Sequence, residues 1–265
     1  MLRINSILLT AVALFTSFSG ISAQKSIQAF FQKSPPVIDG VFEKTRWSDA
    51  DSATGFIQME PHPGEPSTET TVAWFGFDDK NIYAVIKCYQ QTQIIAKNQS
   101  RDALSKSDDI AGLFIDTYND NRSGYGFLVN PLGTQIDFKI NDDGRNIDTN
   151  WDTQWECEAA EFEGGWCAEI LIPLSSLKFK KGLDTWGINF GRVIRSNFET
   201  VYWTGPLTED FRISQGGKVT SLTTTGRRMQ LTLFPYFSGF KTTGEKIIKT
   251  ITVSLILTSG CRQHW

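Results

Sequence analysis

The sequence predicts an all-β protein, built as an antiparallel β-sandwich with few short helical turns. Turn-forming Gly, Pro, Asn and Asp residues recur at short intervals along the chain, as they do in sandwich domains. No long stretch carries apolar residues at the period of an amphipathic helix. An apolar fraction of 40%, including 19 Phe and 8 Trp, is sufficient for a large core.

The first 23 residues have the parts of a secretory signal peptide. Arg3 supplies positive charge, residues 7–18 are mostly apolar, and small residues lead to Ala23, after which we expect cleavage. An uncleaved anchor is the alternative. We therefore expect a signal peptide at 1–23, the sandwich at 24–226, a further region at 227–265, and an exported protein in the periplasm, the outer membrane or the extracellular space.

The mature chain opens with two prolines and an Asp-Gly turn at 35–40, and 43–50 could form one helical turn that carries Trp47. Hairpin-like strand candidates then follow. They lie at 71–77, 82–89, 110–117, 125–130, 133–140, 151–160, 166–172, 186–195 and 199–203. We expect the sandwich to span about 38–222, with Trp47, Trp74 and Trp186 largely buried.

Export permits disulfides, and the chain has four cysteines. Cys157 and Cys167 flank a turn-like segment at 161–165, so they could bridge two paired strands. A register shifted by one residue would place them on opposite faces. No Cys-x-x-Cys pair or Cys/His cluster is present in the sequence, so a zinc site is not predicted.

Charge and motif content argue against several function classes. The net charge of −3, without a basic run, argues against nucleic acid as a partner. There are two histidines, and neither a Gly-x-Ser-x-Gly elbow nor a phosphate-binding loop occurs. Some carboxylates qualify for glycoside hydrolysis by residue type alone. They are Asp116, Asp120, Asp137, Asp152 and Glu169. Catalysis is therefore not predicted, and any activity would be O-glycosyl hydrolysis.

An ordered series of motifs resembles the family 9 carbohydrate-binding modules. It comprises Ile-Asp-Gly at 38–40, Trp47, a Pro-rich loop, and Asp108-Asp109 ahead of 114–117. The runs at 116–120, 151–156 and 186–190 are similar to a bacterial subfamily in which this domain heads a longer chain of unknown function, which continues into an outer-membrane β-barrel. The resemblance extends from about residue 38 to about residue 235.

The resemblance implies an oligo- or polysaccharide partner and a role linked to carbohydrate catabolism. An indole can stack on the apolar face of a sugar, while Arg and Asp bind hydroxyls. Trp151 and Trp155 stand four residues apart in a polar frame, and on a strand they would share a face. They are the first candidates for stacking, although both could equally be core residues. Further candidate contacts are Arg101, Asp102, Asp108 and Trp203, for which structural roles are the alternative.

Family 9 modules can carry calcium, and the resemblance extends that expectation to this chain. Asp116, Asn119 and Asp120 place oxygen ligands in one turn, as Ca²⁺ prefers. A solvated hairpin turn without a metal is the alternative interpretation of the same residues.

Two other function classes remain open. One is a structural or partner-binding head that recognises no glycan, and the other is an accessory part of a glycoside hydrolase. The resemblance stops after about Lys246, and 247–265 is an unusual apolar tail. We expect the chain to be a longer protein ended early by a frameshift, with a partnerless and poorly packed tail in place of barrel strands.

Overall fold

A computed structural model describes residues 24–102, 107–223, 232–237 and 251–256, the last two as backbone. Two sheets pack face to face. The strands are β1 (Ser26–Gln28), β2 (Phe30–Phe31), β3 (Ser52–Ala53), β4 (Ile57–Glu60), β5 (Thr71–Phe77), β6 (Asn81–Tyr89), β7 (Ile110–Asp116), β8 (Gly124–Val129), β9 (Gln135–Asn141), β10 (Asn146–Asp148), β11 (Glu156–Phe162), β12 (Gly165–Pro173), β13 (Trp186–Ile194), β14 (Glu199–Tyr202), β15 (Gly217–Thr220), β16 (Thr232–Phe237) and β17 (Ile251–Ile256). Three short 3₁₀ turns lie at Leu174–Ser176, Arg195–Asn197 and Ile213–Gln215.

Sheet A has the order β1-β15-β13-β7-β8-β9-β10, and β14 links β13 to β4. Sheet B has the order β11-β12-β6-β5-β2, with β3 also paired to β5. The predicted β-sandwich is confirmed. Most of its strand pairs are antiparallel, and two pairs, β1 with β15 and β2 with β5, are parallel. The β1–β15 pair places the start of the described sandwich at Ser26, ahead of the predicted residue 38.

The main core lies between the two sheets, where alternate side chains of both sheets meet. Trp166 and Trp186 are fully buried there, and Phe127 packs on Trp155 with 5.3 Å between ring centroids. Trp47 is buried on the opposite face of sheet B. Trp74 is half-buried and stacks on Phe42, which corrects the expectation of a largely buried ring. Aromatic side chains therefore fill the core and also cover parts of the outer faces of both sheets.

Two buried charged side chains connect distant segments. The Arg192 guanidinium donates to the carbonyl oxygens of Thr70 and Tyr89 at 3.1 and 3.0 Å, and also to side chains beside them. Glu169 accepts the backbone N–H groups of Asp39 and Gly40 at 3.0 and 3.1 Å. Burial raises the Glu169 pKa to about 7. The Ile-Asp-Gly segment is thus held onto sheet B by a carboxyl group.

The strand predicted at 151–160 begins only at Glu156, because 151–155 makes no ladder pairs. Trp151 and Trp155 therefore do not share a strand face, which corrects that expectation. In the β11–β12 hairpin, Cys157 lies opposite Ile170, and Cys167 lies opposite Ala160. Both thiols are free and lie on opposite faces of sheet B, which is the alternative that a shifted register allowed.

Strands β16 and β17 form a separate antiparallel pair, with Thr232 opposite Ile256. The apolar tail was expected to have no partner. The pairing of its 251–256 backbone with β16 corrects that expectation for this stretch. The predicted signal peptide at 1–23 and the end of the tail at 257–265 lie outside the described residues. Within the described part, no helix has the length and apolar character needed to cross a membrane.

Candidate functional site

The outer face of sheet A, which points away from sheet B, carries an apolar pocket that we call the Phe211 pocket. Its volume is about 160 Å³. The side chains that define it come from five separate stretches of the chain. They are Ile110, Phe114, Leu128, Val193, Tyr202 and Phe211. Strands β7, β8, β13 and β14 form the floor, and the segment that follows β14 forms one wall.

Glycine makes room for the aromatic rings on this face. A Cβ at Gly191 would lie 2.8 Å from the Tyr202 ring and 3.0 Å from the Phe114 ring. At Gly126, a Cβ would collide with the ring of Phe138. The rings therefore lie directly over glycine backbone, and larger residues at these positions would push them off the sheet.

The wall of the pocket has an unusual backbone. Phe211 has φ of +64°, a left-handed conformation that costs a non-glycine residue about 1–3 kcal/mol. The next residue, Arg212, holds the segment in place, because its guanidinium donates a hydrogen bond to Asp143 Oδ2 at 3.2 Å. A strained conformation of this kind persists only where the surrounding structure holds it in place. Such conformations are concentrated at functional sites.

Polar side chains also line the pocket, among them Thr200 and Asp210. The Tyr202 hydroxyl donates to Asp210 Oδ1 at 2.9 Å, and burial raises the pKa of Tyr202 well above its ordinary value. An apolar, aromatic-lined pocket with a few converging polar groups is the usual form of a small-molecule site. The arrangement can hold one flat, largely apolar face while a hydroxyl group meets Asp210.

A second polar centre surrounds the buried carboxylate of Asp137, and we call it the Arg101 cluster. Asp137 accepts the indole N–H of Trp155 at 2.9 Å, Arg101 at 3.2 Å and the N–H of Thr153 at 3.1 Å. Arg101 also donates to the exposed Asp152 at 2.6 Å. Burial raises the pKa of Asp137. The cluster borders a broad, open cavity of about 690 Å³.

The Arg101 cluster brings three sequence candidates together, namely Arg101, Asp102 and Trp155. Asp102 lies 3.4 Å from Arg101, and its Oδ1 accepts the N–H of Asp137. Ligand oxygens of Asp102, Asp137 and Asp152 lie within 4.8 Å of one another. The Arg101 guanidinium already pairs with all three carboxylates, so the acidic residues alone do not make a metal site.

The tryptophan candidates are placed differently from the expectation. Trp155 and Trp203 are 5% and 3% exposed and belong to the core, so neither presents a ring to a ligand. Trp151 is half-buried and packs on Tyr125, with 4.8 Å between ring centroids. Of these candidates, Trp151 alone retains part of an accessible indole surface.

Asp108 has a structural role in this fold. It is 2% exposed and accepts the N–H groups of Lys97 and Asn98 at 3.0 and 2.8 Å. Burial by itself would raise the pKa of Asp108, but these donors outweigh burial and lower it. A carboxylate occupied in this way is not positioned for ligand hydroxyls.

The three residues expected to hold calcium lie in the turn after β7, where their oxygens already accept hydrogen bonds. Asp116 is 1% exposed and accepts the N–H groups of Tyr118 and Asn121. Asp120 accepts the N–H groups of Arg122 and Ser123, and Asn119 accepts the Lys218 ammonium. An ammonium at the Asn119 oxygen occupies the place that a cation would take, so these residues do not fit a calcium ion.

Sequence reasoning did not find Phe211, Tyr202 and Asp210. The alternation along 201–203 was a usable signal, because Val201 and Trp203 point into the core and Tyr202 must then point outward. The conformation of Phe211 gives no comparable signal, since a phenylalanine is not expected at positive φ.

The sequence matches no known family profile and no curated protein. Several solved structures share the fold. A family 9 carbohydrate-binding module from Caldicellulosiruptor kristjanssonii in complex with glucose has 18% identity and a TM-score of 0.54, covering 77% of this chain and 97% of that one. A structure of a family 9 module from the same organism in complex with cellotriose has 16% identity and a TM-score of 0.55. That match covers 74% of this chain and 93% of the other.

A protein from Bacteroides uniformis, provisionally described as carbohydrate-binding, gives a TM-score of 0.59 at 12% identity, over 75% of this chain and 99% of that one. The described sandwich therefore has a family 9 carbohydrate-binding module-like fold, as the resemblance implied. At these identities the likeness concerns the fold.

Proposed function

We propose that this protein binds carbohydrate and that the Phe211 pocket receives one sugar ring. The observation that carries the proposal is an aromatic pocket whose lining includes the hydrogen-bonded Tyr202–Asp210 pair. The glucose and cellotriose complexes of proteins with the same fold support it. The carbohydrate-binding modules that share this fold are non-catalytic, which also favours a binding function over catalysis.

The pocket would act through stacking and one directed hydrogen bond. A sugar presents C–H groups on its ring faces, and the half-buried ring of Phe211 provides aromatic surface for them. Asp210 accepts a hydrogen bond from a ligand hydroxyl, and a charged acceptor strengthens that bond. A volume of about 160 Å³ suits a single ring, so we propose that the end of a saccharide chain is bound.

We further propose that the chain is exported by its first 23 residues and is the head of a longer outer-membrane protein that serves carbohydrate catabolism. The signal-peptide pattern and the family 9-like fold support this context. Mass spectrometry of the protein expressed in a Gram-negative host would test export, since we expect a mature N-terminus at Gln24 in an envelope fraction. An intact Met1 in the cytoplasm would contradict it.

A glycan array of neutral oligosaccharides tests the binding proposal, with wild-type protein and Asp210→Asn side by side. The substitution keeps the size of the side chain and removes the charge that strengthens the hydrogen bond to a hydroxyl. We expect the wild type to bind a small set of glycans, and Asp210→Asn to bind the same set more weakly. Equal signals from both proteins would contradict the assigned role of Asp210.

A further inference from the structure

A second cavity lies between the β7–β8 turn, strand β9 and the segment that follows the 3₁₀ turn at Leu174–Ser176. We call it the Lys139 cavity, and its volume is about 250 Å³. The residues that matter here are Tyr118, Asp120, Tyr125, Lys139 and Lys178. Tyr125 belongs to the inter-sheet core, whereas Phe114 and Tyr202 of the Phe211 pocket belong to the outer cluster. The two cavities therefore lie on different faces of sheet A.

The charges of the Lys139 cavity are unbalanced. In the described part of the chain, neither the Lys139 nor the Lys178 ammonium forms an ion pair with a carboxylate. The acidic side chain in the cavity is Asp120, whose two oxygens accept the N–H groups of Arg122 and Ser123 and the Ser123 hydroxyl. Asp148 lies opposite Lys139 on β10 without pairing to it. The cavity thus presents two unpaired cations.

An aromatic surface adjoins the two cations. Tyr118 is 40% exposed at the cavity, so its ring remains available for stacking. Tyr125 lies opposite Lys139 on β8, and its hydroxyl accepts the N–H of Lys178 at 3.4 Å. Lysine acts as a point charge toward carboxylate, sulfate or phosphate groups. A ring for stacking beside two such charges matches a sugar that carries an anionic group.

We propose that the Lys139 cavity is a second binding site, specific for an acidic saccharide in which a carboxylate or sulfate is attached to the sugar ring. The ring would stack on Tyr118, and the anionic group would lie between Lys139 and Lys178. A volume of about 250 Å³ is below the range of drug-sized pockets, so the site holds one ring. This proposal does not depend on binding in the Phe211 pocket.

The test is calorimetric titration of the full chain with four probes at low salt: trigalacturonic acid, a sulfated galactose oligomer, cellotriose and inorganic sulfate. We expect one or both acidic oligomers to bind, and their binding to weaken as salt rises. The double variant Lys139→Gln/Lys178→Gln should lose about tenfold in affinity or more. Lys181→Gln is the control, because this exposed lysine lies outside the cavity and its substitution removes one positive charge from the nearby surface.

Several outcomes would overturn the assignment. They are the absence of binding by both acidic oligomers, an unchanged affinity in the double variant, and equal loss in Lys181→Gln. Inorganic sulfate binding as tightly as the oligomers would overturn the assignment to a sugar. A protein that binds the acidic probes but not cellotriose would contradict the Phe211 pocket proposal and support this one, so the two failures are distinguishable.

Discussion

Trp155 donates its indole N–H to the buried carboxylate of Asp137 across 2.9 Å, at the centre of the Arg101 cluster. This bond fixes the ring inside the sandwich, with one edge against Phe127. It explains why a tryptophan in a polar sequence frame is not a ligand platform here. The polar neighbours surround the carboxylate that the indole needs, and the ring itself fills the core.

We predict that Trp155→Phe lowers the free energy of unfolding by about 2 kcal/mol, because it removes one donor from a buried carboxylate and leaves a small void. Denaturant titration measures the change. Gln154→Ala is the control. The Gln154 side chain is exposed, so its removal should change the free energy of unfolding by less than about 0.5 kcal/mol. Equal stability of Trp155→Phe and the wild type would contradict the structural role.

Arg192 gives the largest effect that we expect from a single substitution. Its guanidinium donates to four oxygens from residues 70–71 and 89–90, and the side chain is buried. Arg192→Ala should cost about 3 kcal/mol or more, because buried acceptors lose a charged donor. Arg122→Ala, at an arginine with 76% side-chain exposure, serves as the control for thermal or denaturant unfolding. A loss below about 1 kcal/mol in Arg192→Ala would contradict this account.

Glu169 predicts a pH dependence of stability. Its pKa of about 7 in the folded protein lies above its ordinary value of 4.5. The folded state therefore binds more protons than the unfolded state between these values, and stability falls as the pH rises from 4.5 to 7. The slope that this group contributes is at most about 1.4 kcal/mol per pH unit. Unfolding of Glu169→Gln across this range should show a flatter profile, and identical profiles would contradict the prediction.

The buried cysteines should be unreactive in the native protein. Burial raises the pKa of Cys88 to about 11 and that of Cys157 to about 12, and it raises the Cys167 pKa as well. Thiolate is the reactive form, so iodoacetamide at pH 8 should label none of the three until denaturant is added. Peptide mass spectrometry measures this. A peptide that links Cys157 to Cys167 would show that the described register is wrong.

The sequence predicted the regular hairpins because their signals are local. The turn at 78–80 separates two β-rich runs, and the structure pairs Phe77 with Ile82 as expected. The parallel contact between Ser26 and Lys218 joins chain segments that are far apart, and no local pattern encodes it. The Phe211 pocket was missed for the same reason, since its residues meet only after the sheet has formed.

Polar spacing also misled the site prediction at Trp151 and Trp155. Residues four apart share a face only on a strand, and 151–155 is irregular because Asp137 and Arg101 bind this segment instead of a ladder partner. The neighbouring Asp152 does reach solvent, where it pairs with Arg101. Residue type was therefore a better guide here than assumed strand geometry.

Calorimetric titration of cellotriose into the wild type, Phe211→Ala and Trp151→Ala tests the central claim most directly. The account predicts binding by the wild type and by Trp151→Ala, and at least about tenfold weaker binding by Phe211→Ala, because the pocket loses its stacking ring. Circular dichroism would verify that each variant is folded. The absence of cellotriose binding by the wild type, or binding lost in Trp151→Ala but retained in Phe211→Ala, would contradict the claim.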